Sequence, residues 1–172
     1  MESMKKILFI CQGNIERSVT AKVVLEKILK DNNLDTEFVV DSKGLQGSMG
    51  TKPTEHSNIS GYPDLYLGAK PILDELGIDI VNHISMPVTQ EDINSSNLVI
   101  AMDKKLLDEF DNSLMKQFPE SKEKFFLFTN LYGNTVGLED SQYFTDEVMH
   151  RESITTIYKT LNTHWKELLK MI

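Results

Sequence analysis

The sequence predicts an α/β fold, a three-layer sandwich in which a four-stranded parallel sheet is flanked by helices on both faces. Three observations point there. Four short apolar runs, Lys5 to Ile10, Phe38 to Val40, Leu98 to Met102 and Phe125 to Phe128, have strand length and are partly β-branched or aromatic. Segments with helical apolar spacing fall between and after them, and strands alternating with helices build a parallel sheet covered on both sides. The first run also passes straight into a polar, glycine-containing turn, Cys11 to Arg17, and then into a helix. In sheets of this kind ligands sit at the carboxyl ends of the strands, where Cys11 falls.

In chain order, the first strand spans Lys5 to Ile10. Ser18 is placed to cap the first helix, in which Ala21, Val24, Leu25, Ile28 and Leu29 recur at helical spacing before Asp31, Asn32 and Asn33 interrupt it. Phe38 to Val40 is the second strand. The stretch from Gly44 to Gly61, rich in Gly, Ser, Thr, Asn and Pro, reads as a long loop of the kind that forms functional rims. A second helix runs from Leu65 to Leu76 and ends at Gly77, with Pro71 an awkward interior residue. Leu98 to Met102 is the third strand, Lys104 to Phe110 a short helix, and Phe125 to Phe128 the fourth strand. Val148, Ile154, Ile157, Tyr158, Leu161, Trp165, Leu168 and Leu169 mark a final helix that packs its apolar stripe on the sheet.

A chain of 172 residues with 40% hydrophobic content can bury a full core, and the expected organisation is a single domain over residues 1–172. The apolar run Ile7 to Ile10 is too short for a signal peptide or membrane span, so a cytoplasmic location is expected. The net charge of -8, without any basic run, argues against nucleic acid or an anionic membrane as partner. One cysteine cannot form an intramolecular disulfide. His56, His83, His150 and His164 show no metal-ligand spacing, so no metal and no cofactor is expected.

In Cys11-Gln12-Gly13-Asn14-Ile15-Glu16-Arg17-Ser18, five residues separate a thiol from a guanidinium, enough for the backbone to curl around one tetrahedral anion. The amides of Gln12, Gly13, Asn14, Ile15, Glu16 and Ser18 are then candidate phosphate donors. They are reinforced by the positive end of the following helix and by the planar fork of Arg17, one of two arginines in the chain. Gly13 permits close approach, and Asn14 tolerates left-handed backbone. The same field favours a thiolate at Cys11, to which Ser18 can donate a hydrogen bond. The alternative, a buried cysteine beside an ordinary loop, needs none of these coincidences. Phosphoryl transfer to the sulfur also requires a carboxylic acid for the departing oxygen and the same group as base for the attacking water.

This turn resembles the Cys-x-Gly-Asn-x-Cys-Arg-Ser loop of the low-molecular-weight protein tyrosine phosphatases, matching at Cys11, Gly13, Asn14, Arg17 and Ser18. The likeness extends to Asp41-Ser42-Lys43-Gly44, Gly61-Tyr62-Pro63-Asp64, Ala101-Met102-Asp103, and His83 followed by Thr89-Gln90-Glu91-Asp92. It implies a phosphomonoesterase, in the first place a protein-tyrosine-phosphatase, with Cys11 as nucleophile and Arg17 as phosphate clamp. Asp140, in Leu138-Glu139-Asp140-Ser141-Gln142-Tyr143, would be the general acid and base, with Tyr143 as an aromatic side of the cleft. Ser42 would be a supporting residue, and His83 would hold Asn14. The implied substrates are phosphorylated proteins or small aryl phosphates.

The sequence departs from the family pattern at several places. Glu16 replaces the loop's second cysteine, and its side chain is expected to point away from bound phosphate. Ser141 replaces a proline, Met86 stands where many members carry arginine, and the stretch from Gln46 to Ser60 is longer than usual. Ile15 occupies the position where the family's arginine-phosphate phosphatases carry threonine, which leans toward phosphotyrosine. Two alternatives stay open: a catalytically weak or inactive phosphate-binding module, separated by turnover of p-nitrophenyl phosphate, and an arsenate reductase, whose chemistry uses further cysteines. A phosphocysteine carrier of the sugar-transport type is opposed by Arg17 and Asp140, because it has no alkoxide to expel.

Overall fold

The computed structural model describes residues 4–45, 58–133, 138 and 147–172. Four strands, β1 (Lys5–Cys11), β2 (Phe38–Gly44), β3 (Leu98–Ala101) and β4 (Phe125–Leu127), form one parallel sheet in the order β2-β1-β3-β4. Successive strand residues face opposite sides. Ile7 to Cys11 and all four residues of β3 are buried, so both faces of the central strands are covered, as the α/β class requires.

Five α-helices are described: α1 (Arg17–Asp31), α2 (Pro63–Leu76), α3 (Gln90–Ser95), α4 (Leu114–Gln117) and α5 (Glu147–Leu169). Helix α1 joins β1 to β2 and packs on both, while α5 packs on α1 and α2. The core gathers Ile7, Phe9, Leu25, Leu29, Phe128, Ile157 and Leu161, with Phe9 and Phe128 in edge-on contact at 6.4 Å between ring centres. Among the described residues, no helix is long and apolar enough to cross a membrane.

Local chemistry accounts for most element boundaries and for the corrections to the sequence reading. Helix α2 starts at Pro63 rather than Leu65, because proline is pre-set for a first helical turn. It closes on Gly77, whose φ of 67° is the left-handed cap that glycine supplies most cheaply. Pro71 lies inside the helix, on its exposed side. Helix α1 begins at Arg17 with Glu16 as its cap residue, and no side chain caps it. Ser18 is inside the helix, and its hydroxyl is engaged elsewhere. Strand β2 continues to Gly44 through the polar residues Asp41 to Lys43, paired to β1 along its whole length. The expected helix Lys104 to Phe110 is a π-helical turn, Lys105–Glu109. Helix α3 is an element beyond those expected from the sequence, and it opens on a reciprocal capping box of Thr89 and Asp92.

The α5 stripe also needs correcting. Val148 is exposed, and His150 lies buried on that face with Ile154, Ile157 and Leu161. At 3.6 residues per turn, Val148 is about 120° around the helix from Ile154, whereas His150 is only about 40° from it. Of the long loop expected from Gly44 to Gly61, residues 46–57 lie outside the described residues; the end is a 3₁₀ turn at Ile59–Gly61.

The chain steps from β1 to β2 in one direction and to β3 and β4 in the other. The carboxyl ends of β1 and β3 therefore flank the switch in strand order, the place where open α/β sheets form a crevice. Cys11 is the last residue of β1.

Candidate active site

Between the end of β1 and the start of α1, residues 12–16 carry the chain back over the sheet edge, so that Cys11 and Arg17 are joined by one turn. Asn14 is at the centre of that turn, fully buried and with a φ of 55°, in the left-handed region that asparagine enters more readily than most residues. Its side chain has all its hydrogen-bonding capacity used. The Met86 backbone N–H donates to Asn14 Oδ1 at 3.1 Å, which fixes that atom as the acceptor oxygen. His83 Nε2, 2.9 Å from the same oxygen, is therefore also a donor, and the ring carries its proton on Nε2. Asn14 Nδ2 donates to Ser18 Oγ and Ser42 Oγ, each at 3.0 Å. Ser85 Oγ donates to the Asn14 carbonyl at 2.8 Å.

This network determines what the thiol feels. Because Ser18 Oγ accepts from Asn14, its own hydrogen is free to point at Cys11 Sγ, 2.9 Å away. The Asn14 backbone N–H donates to the same sulfur at 3.2 Å. The sulfur thus has Ser18 Oγ and the Asn14 N–H as hydrogen-bonding neighbours, just ahead of the N-terminus of α1. Ser85 and Met86 reach Asn14 because their segment is laced to the end of β2: Gly44 N–H donates to the Met86 carbonyl at 2.9 Å, and Val88 N–H to the Gly44 carbonyl at 2.8 Å.

Burial, reinforced by the Lys22 and Lys43 cations and opposed by Asp41, pushes the His83 imidazole down to about 4 from its ordinary 6.5. His83 is thus neutral near pH 7, consistent with its role as a single-proton donor to Asn14. Since the unfolded chain binds this proton at a higher pH than the folded one, the contribution to stability is intact above about 6.5, declines as pH falls, and stops declining near 4. Denaturant titrations from pH 7 to pH 4 should show that decline, and His83→Gln should flatten it. An unchanged slope in the variant would exclude His83 as its source.

Arg17 is almost fully buried, and its Nη1 donates to Asp103 Oδ2 at 2.6 Å and to the Leu138 carbonyl at 3.1 Å. Asp103 follows β3, and its other oxygen accepts from the Leu106 N–H at 3.0 Å, so the carboxylate that aims the guanidinium is itself held. Glu16, one residue earlier, turns to α5, where His150 Nδ1 lies 3.0 Å from Oε1 and 2.9 Å from Oε2.

The structure therefore brings together Cys11, Asn14, Arg17, Ser18, Ser42 and His83. Asp140, Ser141 and Tyr143 lie outside the described residues, but the chain meets Arg17 at Leu138, two positions before Asp140. Sequence reasoning missed Ser85, the Arg17 partnership of Asp103, and the Glu16 partnership of His150. A signal existed for His150, four residues before Ile154 on the helical repeat, and for Asp103 at a strand's carboxyl end. Ser85 had none. Among the described residues, no group of three or more His, Cys, Asp or Glu side chains is arranged to hold a metal ion.

A thiol and a guanidinium thus share one turn at the switch point of a parallel sheet in an α/β protein. The family model for low molecular weight phosphotyrosine protein phosphatases matches residues 6–172, and the chain belongs to that family. It is 30% identical over 110 residues to the low molecular weight phosphotyrosine protein phosphatase of Pongo abelii, an alignment covering 64% of this chain and 62% of that protein. It is 30% identical over 132 residues to the protein-arginine-phosphatase of Geobacillus stearothermophilus, covering 77% and 74%. The solved structure of a mutant of YwlE from Bacillus subtilis superposes with a TM-score of 0.71 at 26% identity, over 96% of this chain and 99% of that one.

Proposed function

We propose that this chain is a phosphomonoesterase, in the first place a protein-tyrosine-phosphatase, acting as a single cytoplasmic domain without metal or cofactor. The observation that carries the reading is the sulfur of Cys11 hydrogen-bonded with the Ser18 hydroxyl and accepting from the Asn14 N–H in the same turn that presents Arg17. Phosphate is held by the amides of the loop and by Arg17. Cys11 Sγ attacks phosphorus, the P–O bond to the leaving group breaks, and Asp140 protonates the departing oxygen. Asp140, now a carboxylate, takes a proton from water as that water attacks phosphocysteine, releasing phosphate and the thiolate. The Arg17 contact with the Leu138 carbonyl supports a place for Asp140 close to the site.

The role of Asp140 predicts a leaving-group signature. Asp140→Asn should slow phenyl phosphate turnover by roughly 10²- to 10⁴-fold and affect an activated ester such as a dinitrophenyl phosphate far less, because only the poor leaving group needs the proton. Rates measured across a series of aryl phosphates check this, and an equal loss for every ester would refute the assignment.

The alignment with a protein-arginine-phosphatase, at 132 residues against 110, favours a second reading in which the substrate is phosphoarginine. Ile15 opposes it, since it places a hydrocarbon where the family's arginine-specific members carry a hydroxyl. Comparing kcat/KM for phosphotyrosine and phosphoarginine peptides separates the two.

A further inference from the structure

A loop that binds an anion through its backbone turns N–H groups inward and carbonyls outward, and each buried carbonyl so turned needs a donor of its own. At Asn14 that donor comes from a distant part of the chain. Ser85, 7% exposed, donates from Oγ to the Asn14 carbonyl at 2.8 Å. The segment carrying Ser85 is itself held in place. The Met86 N–H donates to Asn14 Oδ1, and the Met86 carbonyl accepts from the Gly44 N–H at the end of β2.

The direction of the Asn14 carbonyl also sets the direction of the next amide. In a trans peptide the C=O and the following N–H lie in one plane and point to opposite sides. The Asn14 carbonyl points to Ser85, so the Ile15 N–H points away from Ser85. The Asn14 N–H is directed to Cys11 Sγ at 3.2 Å, and Asn14 has a φ of 55°. Successive amides around a residue of this kind form the concave arrangement that binds anions. A positive φ alone does not secure it, because the turn types that share it differ by a flip of the next peptide, which exchanges carbonyl and N–H.

We propose that Ser85 is a positioning residue of the phosphate loop: its hydroxyl holds the Asn14 carbonyl outward and so keeps the Ile15 N–H turned to the anion beside Cys11. The proposal rests on the phosphate-binding reading above. Without the hydroxyl, a fully buried residue is left with an unmet carbonyl, and the flipped peptide, which turns that carbonyl to the anion's place, competes. Phosphate affinity then falls in proportion to the fraction of molecules in the competent orientation. A brace for the fold alone would lower the melting temperature and leave the affinity of the folded protein unchanged.

The test measures inorganic phosphate affinity by calorimetry, kcat/KM for p-nitrophenyl phosphate, and melting curves for the wild type, Ser85→Ala and Ser85→Thr. Ser85→Ala should bind phosphate about tenfold more weakly and lose a similar factor in kcat/KM. Ser85→Thr, which keeps the hydroxyl, should return both to within about threefold of wild type. In the isotope-labelled wild-type protein, the Ile15 amide proton should shift downfield in the magnetic resonance spectrum as phosphate saturates the site. Wild-type affinity in folded Ser85→Ala, or a folded Ser85→Thr as weak as Ser85→Ala, overturns the proposal while phosphate binding by the wild type leaves the parent reading standing. Should Ser85→Ala not fold, the wild-type spectrum decides, and an Ile15 amide unmoved at saturating phosphate overturns the proposal. Absence of phosphate binding by the wild-type protein overturns both.

Discussion

Replacing Cys11 with serine is expected to lower turnover of p-nitrophenyl phosphate by at least about 10⁴-fold while inorganic phosphate still binds. A serine hydroxyl is a far weaker nucleophile than a cysteine sulfur near neutral pH, so Ser18 and Asn14 would surround a poor nucleophile. The cradle should survive the change. Asn14 is held through Ser18, Ser42, His83, Ser85 and Met86, and among the described residues its own N–H and the Ser18 hydroxyl are the groups hydrogen-bonded to the sulfur. Steady-state rates combined with phosphate titration test both halves of the expectation. Residual turnover above about 1% would remove Cys11 from the nucleophile's place.

Arg17→Lys should reduce kcat/KM by about 10²- to 10³-fold, the range found when one preorganised donor to a developing charge is removed. The reason is geometric. Arg17 Nη1 donates to Asp103 and to the Leu138 carbonyl, and a planar fork so anchored would meet an anion as a unit. An ammonium is a point charge that would settle on Asp103, its buried partner. The loss should therefore appear in phosphate affinity as well as in rate, with the melting temperature largely retained because the charge pair persists. A variant with near-normal rates would show that another group clamps the phosphate.

Both expectations concern residues whose chemistry is legible in the sequence, and the reason is their locality. Cys11 to Ser18 is one continuous turn, so its chemistry depends on residue types and spacing within eight positions. The same applies to the helix ends at Pro63 and Gly77, where the backbone preferences of single residues decide the boundary. Locality also explains the errors. Ser18 has the composition of a cap, but its hydroxyl is claimed by Cys11 and Asn14, and the polar stretch Asp41 to Lys43 looks unlike a strand until β1 is beside it.

The sequence by itself determined the parallel α/β class, the thiol-guanidinium turn at the end of the first strand, and the helical repeat of the last segment. Only the tertiary structure decided which distant side chains complete the turn. Asp103 reaches Arg17 from 86 residues away, Ser85 reaches the Asn14 carbonyl from 71, and His150 reaches Glu16 from 134. Helical and strand periodicities say which face of an element is buried, but not what it is buried against. That depends on strand order and on how α5 lies across α1, and such long-range contacts arise when the whole sheet closes rather than within any stretch of the chain.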